Sequence, residues 1–414
     1  MAAKDTSTSN IPPPIRAEVK MRQITQGGEK VFILKEPDKG SYYQFDEAQY
    51  LMLSLFDGKM DVPELVEAFD EASDVYAYDE DALKDLIDSA REFKLLTLTK
   101  EEQNTALVEK LRDLREGARL QAQGSLLMMR MSLVDPDEMF DRIINRMRFV
   151  WSPAGVKVSF LIIFIAFFMV GLNIDRFMVD LERVMHLATD GVWGLFGIWT
   201  VAMCAIAFHE VAHGLTCKHF GGEVHEIGFL LLAFQPCMYC NVNDAWMFES
   251  TRHKIYVALA GVWVEMFLGA IAAFIWLIVD ATHPLGMICF ILMLIATAAS
   301  LFMNLNPLMK FDGYYILSDL VQVPNLRENA ISWFSYLLKV KVFRMDEEAP
   351  LRPTRREARV YFIYGGMTVI YLTVMLGGMA IMMHGLVAEA LGTWGVIAYL
   401  AVVAKFTHMM TGTW

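Results

Sequence analysis

Residues 191–218 read GVWGLFGIWTVAMCAIAFHEVAHGLTCK. The first 18 of them carry no charge, and about 20 apolar residues suffice for a helix to cross a bilayer. The run then ends on His209, Glu210, His213 and Gly214. On a helix, positions i and i+4 stand one above the other, so both imidazoles face the same point. Two neutral imidazoles there suit Zn2+, and a carboxylate beside the metal can take a proton from bound water. In a chain with nine histidines the pattern is expected by chance about 0.01 times. Ionisable side chains inside an apolar span are costly, and three within five positions are poorly explained by packing.

Other uncharged runs of spanning length flank this one. They cover 158–174, 255–279 (interrupted only by Glu265), 285–309 and 360–383, with a weaker sixth at 390–404. The uncharged stretch 227–243 contains Pro236 and a polar tail, which favours a re-entrant or interfacial segment. The fold class expected is mainly α, a polytopic membrane core of about six transmembrane helices over 151–414, carrying a small N-terminal α+β winged-helix-like domain. Nine Lys and Arg lie in 310–359, and Arg142, Arg146 and Arg148 precede the first span, whereas the turn at 280–284 has none. Positive loops stay inside, so the N-terminus is expected to be cytoplasmic, with the ends of the second and fourth spans, near Lys218 and Lys310, on the same side.

The composition agrees: 55% hydrophobic and 20% charged over 414 residues, with net charge −12. These values exclude a simple soluble enzyme, a disordered chain and a nucleic-acid binder, which needs a basic face. Between Asp57 and Glu92 stand 13 acids and three bases, −10 of that net charge. Five cysteines give no disulfide framework, and the polar N-terminus has no signal-peptide core. Residues 1–28 read as a flexible lead-in. Two apolar runs around Pro37–Gly40 predict a β-hairpin, and three helical patterns follow, opened by Asp46, by Asp61 with Pro63, and by Asp79 to Asp81, the last with Leu83, Leu86, Ile87 and Ala90 on one face. Residues 29–100 thus form a winged-helix-like unit, and 101–150 a connector ending in an amphipathic helix that suits the membrane surface. The acid run reads either as a solvated face or as a docking surface.

Catalytic zinc needs a third protein ligand and an open position for water. The fourth run ends NLNPLMKFDGYYILSD, residues 304–319, and Asp312 lies just beyond its cytosolic end. HEVAHG followed by N-L-N-P-x4-D-G resembles the site-2 protease family of intramembrane zinc metalloproteases, over roughly residues 150–385. The resemblance implies that His209, His213 and Asp312 bind zinc, that Glu210 is the general base, and that Asn304 holds a substrate strand or stabilises the oxyanion. The chain departs from the family at Gly261-Val-Trp-Val-Glu265, where relatives show G-P-x-x-N. Glu265 is left three roles: pairing with a cation, tuning the metal's surroundings, or facing a wet cavity. Residues 30–98 resemble the small peptide-chaperone domain of pyrroloquinoline quinone biosynthesis, which implies that a client peptide adds as a strand beside the hairpin. The combination resembles bacterial peptide zinc metalloproteases of the inner membrane.

The implied function is cleavage of a membrane-associated or peptide substrate. The alternative is a non-proteolytic zinc-containing component of peptide maturation or export, whose N-terminal domain binds peptide. The implied partners are membrane lipid, the substrate, and a peptide or protein at the N-terminal domain, with no nucleic acid. Cys237 and Cys240 have CxxC spacing, but without a second pair plain packing is the simpler reading. His219, His225 and His253 flank the candidate site. The basic loop 339–359 most simply holds the cytosolic face against anionic lipid.

Overall fold

The computed structural model describes residues 11–98, 102–103 and 122–378, apart from short interruptions at 27–28, 38–40, 74–75, 77, 126–127, 190, 233–234, 281 and 343, plus isolated positions beyond 378. The connector 104–121 and the weak sixth run at 390–404 lie almost wholly outside the described residues. The chain divides into two units, 1–297 and 298–414.

The first unit opens with a three-stranded antiparallel sheet, β1 (Lys20–Gln26), β2 (Glu29–Lys35) and β3 (Tyr42–Asp46), in that order. The expected hairpin is β2–β3, with Lys35 opposite Tyr42. β1 corrects the reading of 1–28 as a flexible lead-in. Residues 20–26 contain only Met21 and Ile24 as large apolar side chains, too few for a strand signal, and order comes from pairing with β2. The VFIL run of β2 is buried on both faces, as an uninterrupted apolar strand should be. Phe32 and Leu34 meet the helices α1 (Glu47–Ser54), α2 (Val62–Ala72) and α3 (Glu80–Glu92), while Val31 and Ile33 pack with Ile24 and Met247. Asp46, Asp61 and Asp79 cap these helices as the sequence indicates, and Leu83, Leu86, Ile87 and Ala90 are all buried. A bridge between Ile15 and Leu96 closes the module.

A second sheet runs β4 (Ala122–Ser125), β5 (Met128–Val134), β6 (Ile227–Leu232) and β7 (Gln235–Cys240), all antiparallel. The stretch expected to re-enter is therefore the β6–β7 hairpin. Helix α4 (Asp137–Met147) follows, and its apolar face is used by protein: Phe140 and Ile144 bury against Leu215, Val224, Phe248 and Val257. That departs from the membrane-surface helix expected there. A partner face from another element is invisible to a moment read along one helix.

Among the described residues five helices are long and apolar enough to cross a membrane, by length and composition. They are α5 (Pro153–Leu172), α7 (Val192–His219), α8 (Thr251–Ile278), α9 with its π-wound continuation (Pro284–Asn304), and α12 (Arg355–Gly378). Small residues Ala166, Ala270 and Ala273 let α5 and α8 approach around Trp276 and Phe290. Between the first two spans lies α6 (Ile174–Thr189), unanticipated from the sequence. Its buried Asp180 pairs with Arg183 at 2.8 Å and accepts a hydrogen bond from the Trp276 indole at 2.8 Å.

In the second unit, α10 (Asp312–Val321), α11 (Leu326–Leu337) and α12 bury Tyr314, Leu326, Ala330, Tyr361 and Tyr364 together. The Tyr364 hydroxyl donates to the Pro307 carbonyl at 2.8 Å, holding the Pro307 turn that leads into α10.

Candidate metal centre

The HEVAH stretch lies near the C-terminal end of α7, with no helix breaker between His209 and His213, so both imidazoles project from one face. Both are buried at 6% exposure, and their Nε2 atoms stand 2.9 Å apart. Each ring has an oxygen of α8 near its other nitrogen, and for His213 this is a hydrogen bond. His213 Nδ1–H donates to the Val257 carbonyl of α8 at 2.7 Å. His209 Nδ1 lies 3.2 Å from Oε2 of Glu265, also on α8. A carbonyl can only accept, so neutral His213 carries its proton on Nδ1 and presents a bare lone pair at Nε2. Two converging Nε2 atoms at this distance call for a cation or a shared proton between them. This is the arrangement by which outer groups hold metal-ligating histidines in the correct tautomer.

Glu265, whose position left three roles, is 2% exposed and has Oε2 3.2 Å from His209 Nδ1. The approach of α8 depends on Gly261. A Cβ there would lie 2.3–2.5 Å from three ring atoms of His209, closer than any real contact. The glycine noticed in the sequence as the start of a motif is needed because the imidazole occupies the space of its side chain.

Glu210, one position along α7, turns to a different element. Its Oε2 accepts the backbone N–H of Cys240 at 3.0 Å. Cys240 pairs with Ile227 on β6, and β7 is the end strand of its sheet among the described residues, so this N–H leaves the sheet from its open edge. Of the CxxC pair, Cys240 packs against the cluster of Phe140 and Leu215; burial pushes its thiol up, and the nearby Glu210 charge adds to this. The flanking histidines are engaged elsewhere: His219 stacks on Trp151 at 5.0 Å, His253 on Phe220 at 4.2 Å, and His225 contacts Asp135 at 3.1 Å.

Asn304 and Asp312 belong to the second unit. Asn304 ends the π-wound continuation of α9, half-buried, and Asp312 is the first residue of α10. Gly313 has the same necessity as Gly261, because a Cβ there would lie 2.3 Å from the Leu305 carbonyl oxygen. That close approach ties the Asn304–Pro307 and Asp312–Gly313 parts of the motif to one another. Two imidazoles and one carboxylate are the donor chemistry of catalytic zinc; the first unit carries His209 and His213 on one face of α7, and the second carries Asp312 at the start of α10.

The sequence reading missed the Val257 carbonyl and the Cys240 N–H, both backbone groups that carry no residue-type signal. It also missed how the N-terminal module meets this unit. Lys35 of β2 reaches Asp244 at 2.6 Å and Glu223 at 3.1 Å, Lys20 reaches Glu223 at 2.6 Å, and the Tyr42 hydroxyl donates to Asp244. The Lys20 and Lys35 ammonium groups hold Glu223 down at about 2.

No family model matches this chain, and neither the curated proteins nor the solved structures contain a match to it.

Proposed function

We propose that this protein is a membrane-embedded zinc metallopeptidase that cleaves a peptide bond of a membrane-associated or peptide substrate. The observation that carries the reading is the pair of buried imidazoles on α7, His213 fixed through Nδ1 by the Val257 carbonyl and His209 with the Glu265 carboxylate 3.2 Å from its Nδ1, their Nε2 atoms converging at 2.9 Å. His209, His213 and, from the second unit, Asp312 would hold the ion. Bound zinc would supply Lewis acidity toward the scissile carbonyl and lower the pKa of a water toward neutrality.

The chain's own residues do the rest. Glu210 accepts the proton of the attacking water and returns it to the leaving amine. The Cys240 N–H, bonded to Oε2, fixes the direction of that carboxylate. A helical substrate hides its amides, so it must unwind before attack. The open edge of β7 offers backbone groups to an extended substrate strand, which would run beside Glu210. Asn304 holds that strand or the developing oxyanion. In this reading the N-terminal module, joined to the rest of the first unit through Lys35, selects peptide on the cytoplasmic side, and the five long apolar helices would anchor the chain in a cell membrane.

The test is cleavage of a membrane-tethered peptide library by purified protein with metal content measured in parallel. Glu210→Gln is expected to retain metal and lose cleavage by at least a hundredfold, in line with the usual worth of a general base. His213→Ala is expected to lose both. Full metal occupancy with no cleavage by the parent protein would instead select the non-proteolytic zinc component.

A further inference from the structure

The second unit contains an apolar trough of about 670 Å³ between α11, its π-wound extension Leu338–Val342, and the first turns of α12. Its floor is aromatic: Phe334 and Phe362 face each other with centroids 5.8 Å apart. Below them the helices close, because Gly365 brings α12 so near that a Cβ would lie 2.5 Å from the Ala330 carbonyl oxygen. Ala330 opposite Gly365 and Phe334 opposite Phe362 make the pair antiparallel. The trough therefore widens toward the C-terminal end of α11 and the N-terminal end of α12. That end carries Lys341 and Arg359, both in the lining.

Among the described residues neither Lys341 nor Arg359 has a carboxylate within ion-pair distance, whereas the adjacent Lys339 is paired with Glu347 at 2.8 Å. Arg359 spends only Nε, on the Arg355 carbonyl at 3.2 Å. Arg359, Phe362 and Ile363 share a face at i, i+3 and i+4, so charge gives way to exposed apolar side chains within one turn of a spanning helix. Unpaired cations at the rim of an apolar cleft, at the level where a span begins, complement a phosphate attached to acyl chains.

We propose that this trough is a binding site for an anionic phospholipid, with an acyl chain over Phe334 and Phe362 and the phosphate between Lys341 and Arg359. The volume favours lipid over a peptide helix. At 10 Å diameter and 1.5 Å rise, 670 Å³ holds only about six residues of helix, whereas it lies within the roughly 300–1,000 Å³ of small-molecule pockets. Basic pockets between spanning helices are established lipid headgroup sites. The proposal rests on the membrane assignment and is independent of the hydrolase reading.

Trp333 lines the trough and supplies the probe. Full-length Glu210→Gln protein, which removes any turnover, is placed in phosphatidylcholine nanodiscs doped with brominated phosphatidylglycerol, or the reverse. Subtracting the Trp333→Phe signal isolates this indole among the nine tryptophans. Brominated phosphatidylglycerol is expected to quench Trp333 at far lower mole fraction than brominated phosphatidylcholine. The Lys341→Gln/Arg359→Gln variant should lose that preference by roughly thirtyfold, about fivefold per cation. Ala358→Phe, which fills the trough and leaves both cations, should weaken quenching by either lipid. Equal quenching by the two lipids, a preference that survives the double substitution, or indifference to Ala358→Phe would each overturn the assignment.

Discussion

The Nδ1 atom of His209 lies 3.2 Å from Oε2 of Glu265, and both side chains are almost fully buried. A carboxylate in the middle of an apolar helix is expensive unless it has a polar partner. In the proposed metal centre, a carboxylate beside the Nδ1 of a ligating imidazole would steady the ring and raise its basicity. Glu265→Ala should therefore lower zinc affinity about 10–100-fold, while Glu265→Gln, which keeps an acceptor oxygen, stays nearer the parent. Competition with a chromogenic chelator measures this. Parental affinity in Glu265→Ala would remove Glu265 from the site.

Gly261 and Gly171 make a matched pair on spanning helices. Gly261→Ala drives a methyl into the His209 ring, whereas a Cβ at Gly171 meets nothing within 4 Å. Overpacking of this kind costs about 1–3 kcal/mol. Gly261→Ala should lower both thermal stability and metal content, and Gly171→Ala should leave metal content unchanged. Metal analysis beside thermal unfolding separates the two.

The junction of the N-terminal module is set by Lys35 and Asp244, whose side chains are 13% and 11% exposed and 2.6 Å apart. Lys35→Ala leaves a nearly buried carboxylate without its cation, which costs about 3 kcal/mol. Hydrogen exchange of β1–β3 should rise selectively in that variant while the spanning helices keep their protection. Uniform exchange across both regions would argue against a discrete junction.

Acid should loosen the same junction. Glu223 is held at about 2, below the ordinary 4.5, first by its bond to Lys20 and then by Lys35. A depressed carboxylate contributes stability that is complete above the unfolded value and is lost as pH falls through the folded one. The contribution should thus fade between about 4.5 and about 2. Because Glu223 is one-third exposed, solvent screening holds it to about 1 kcal/mol. Glu223→Gln should flatten this part of the pH dependence of β1–β3 exchange.

Chelation tests the centre as a folding element. A ligand that binds only the folded state at 100 times its Kd stabilises by about 2.7 kcal/mol. Stripping the metal from purified protein should lower the thermal midpoint, and stoichiometric zinc should restore it. The His213→Ala protein should show neither change.

What the sequence alone determined are the features that repeat along one element or recur as residue types. Hydropathy located, to within a few residues, the five described helices that are long and apolar enough to cross a bilayer. The i, i+4 spacing placed His209 and His213 on one face, and turn chemistry with capping aspartates marked the β2–β3 hairpin and the first three helices. Only the tertiary structure decided which groups from other elements meet those faces. The Val257 carbonyl orients His213, Glu265 stands beside His209, the Cys240 amide aims Glu210, and Phe140 with Ile144 is turned toward protein. β1 is ordered by its partner strand, and Gly261 is required by a ring on a neighbouring helix. The reason is common to all of these. A backbone amide or carbonyl is the same in every residue, and a side chain's pattern reports which way it points along its own element, never what stands opposite.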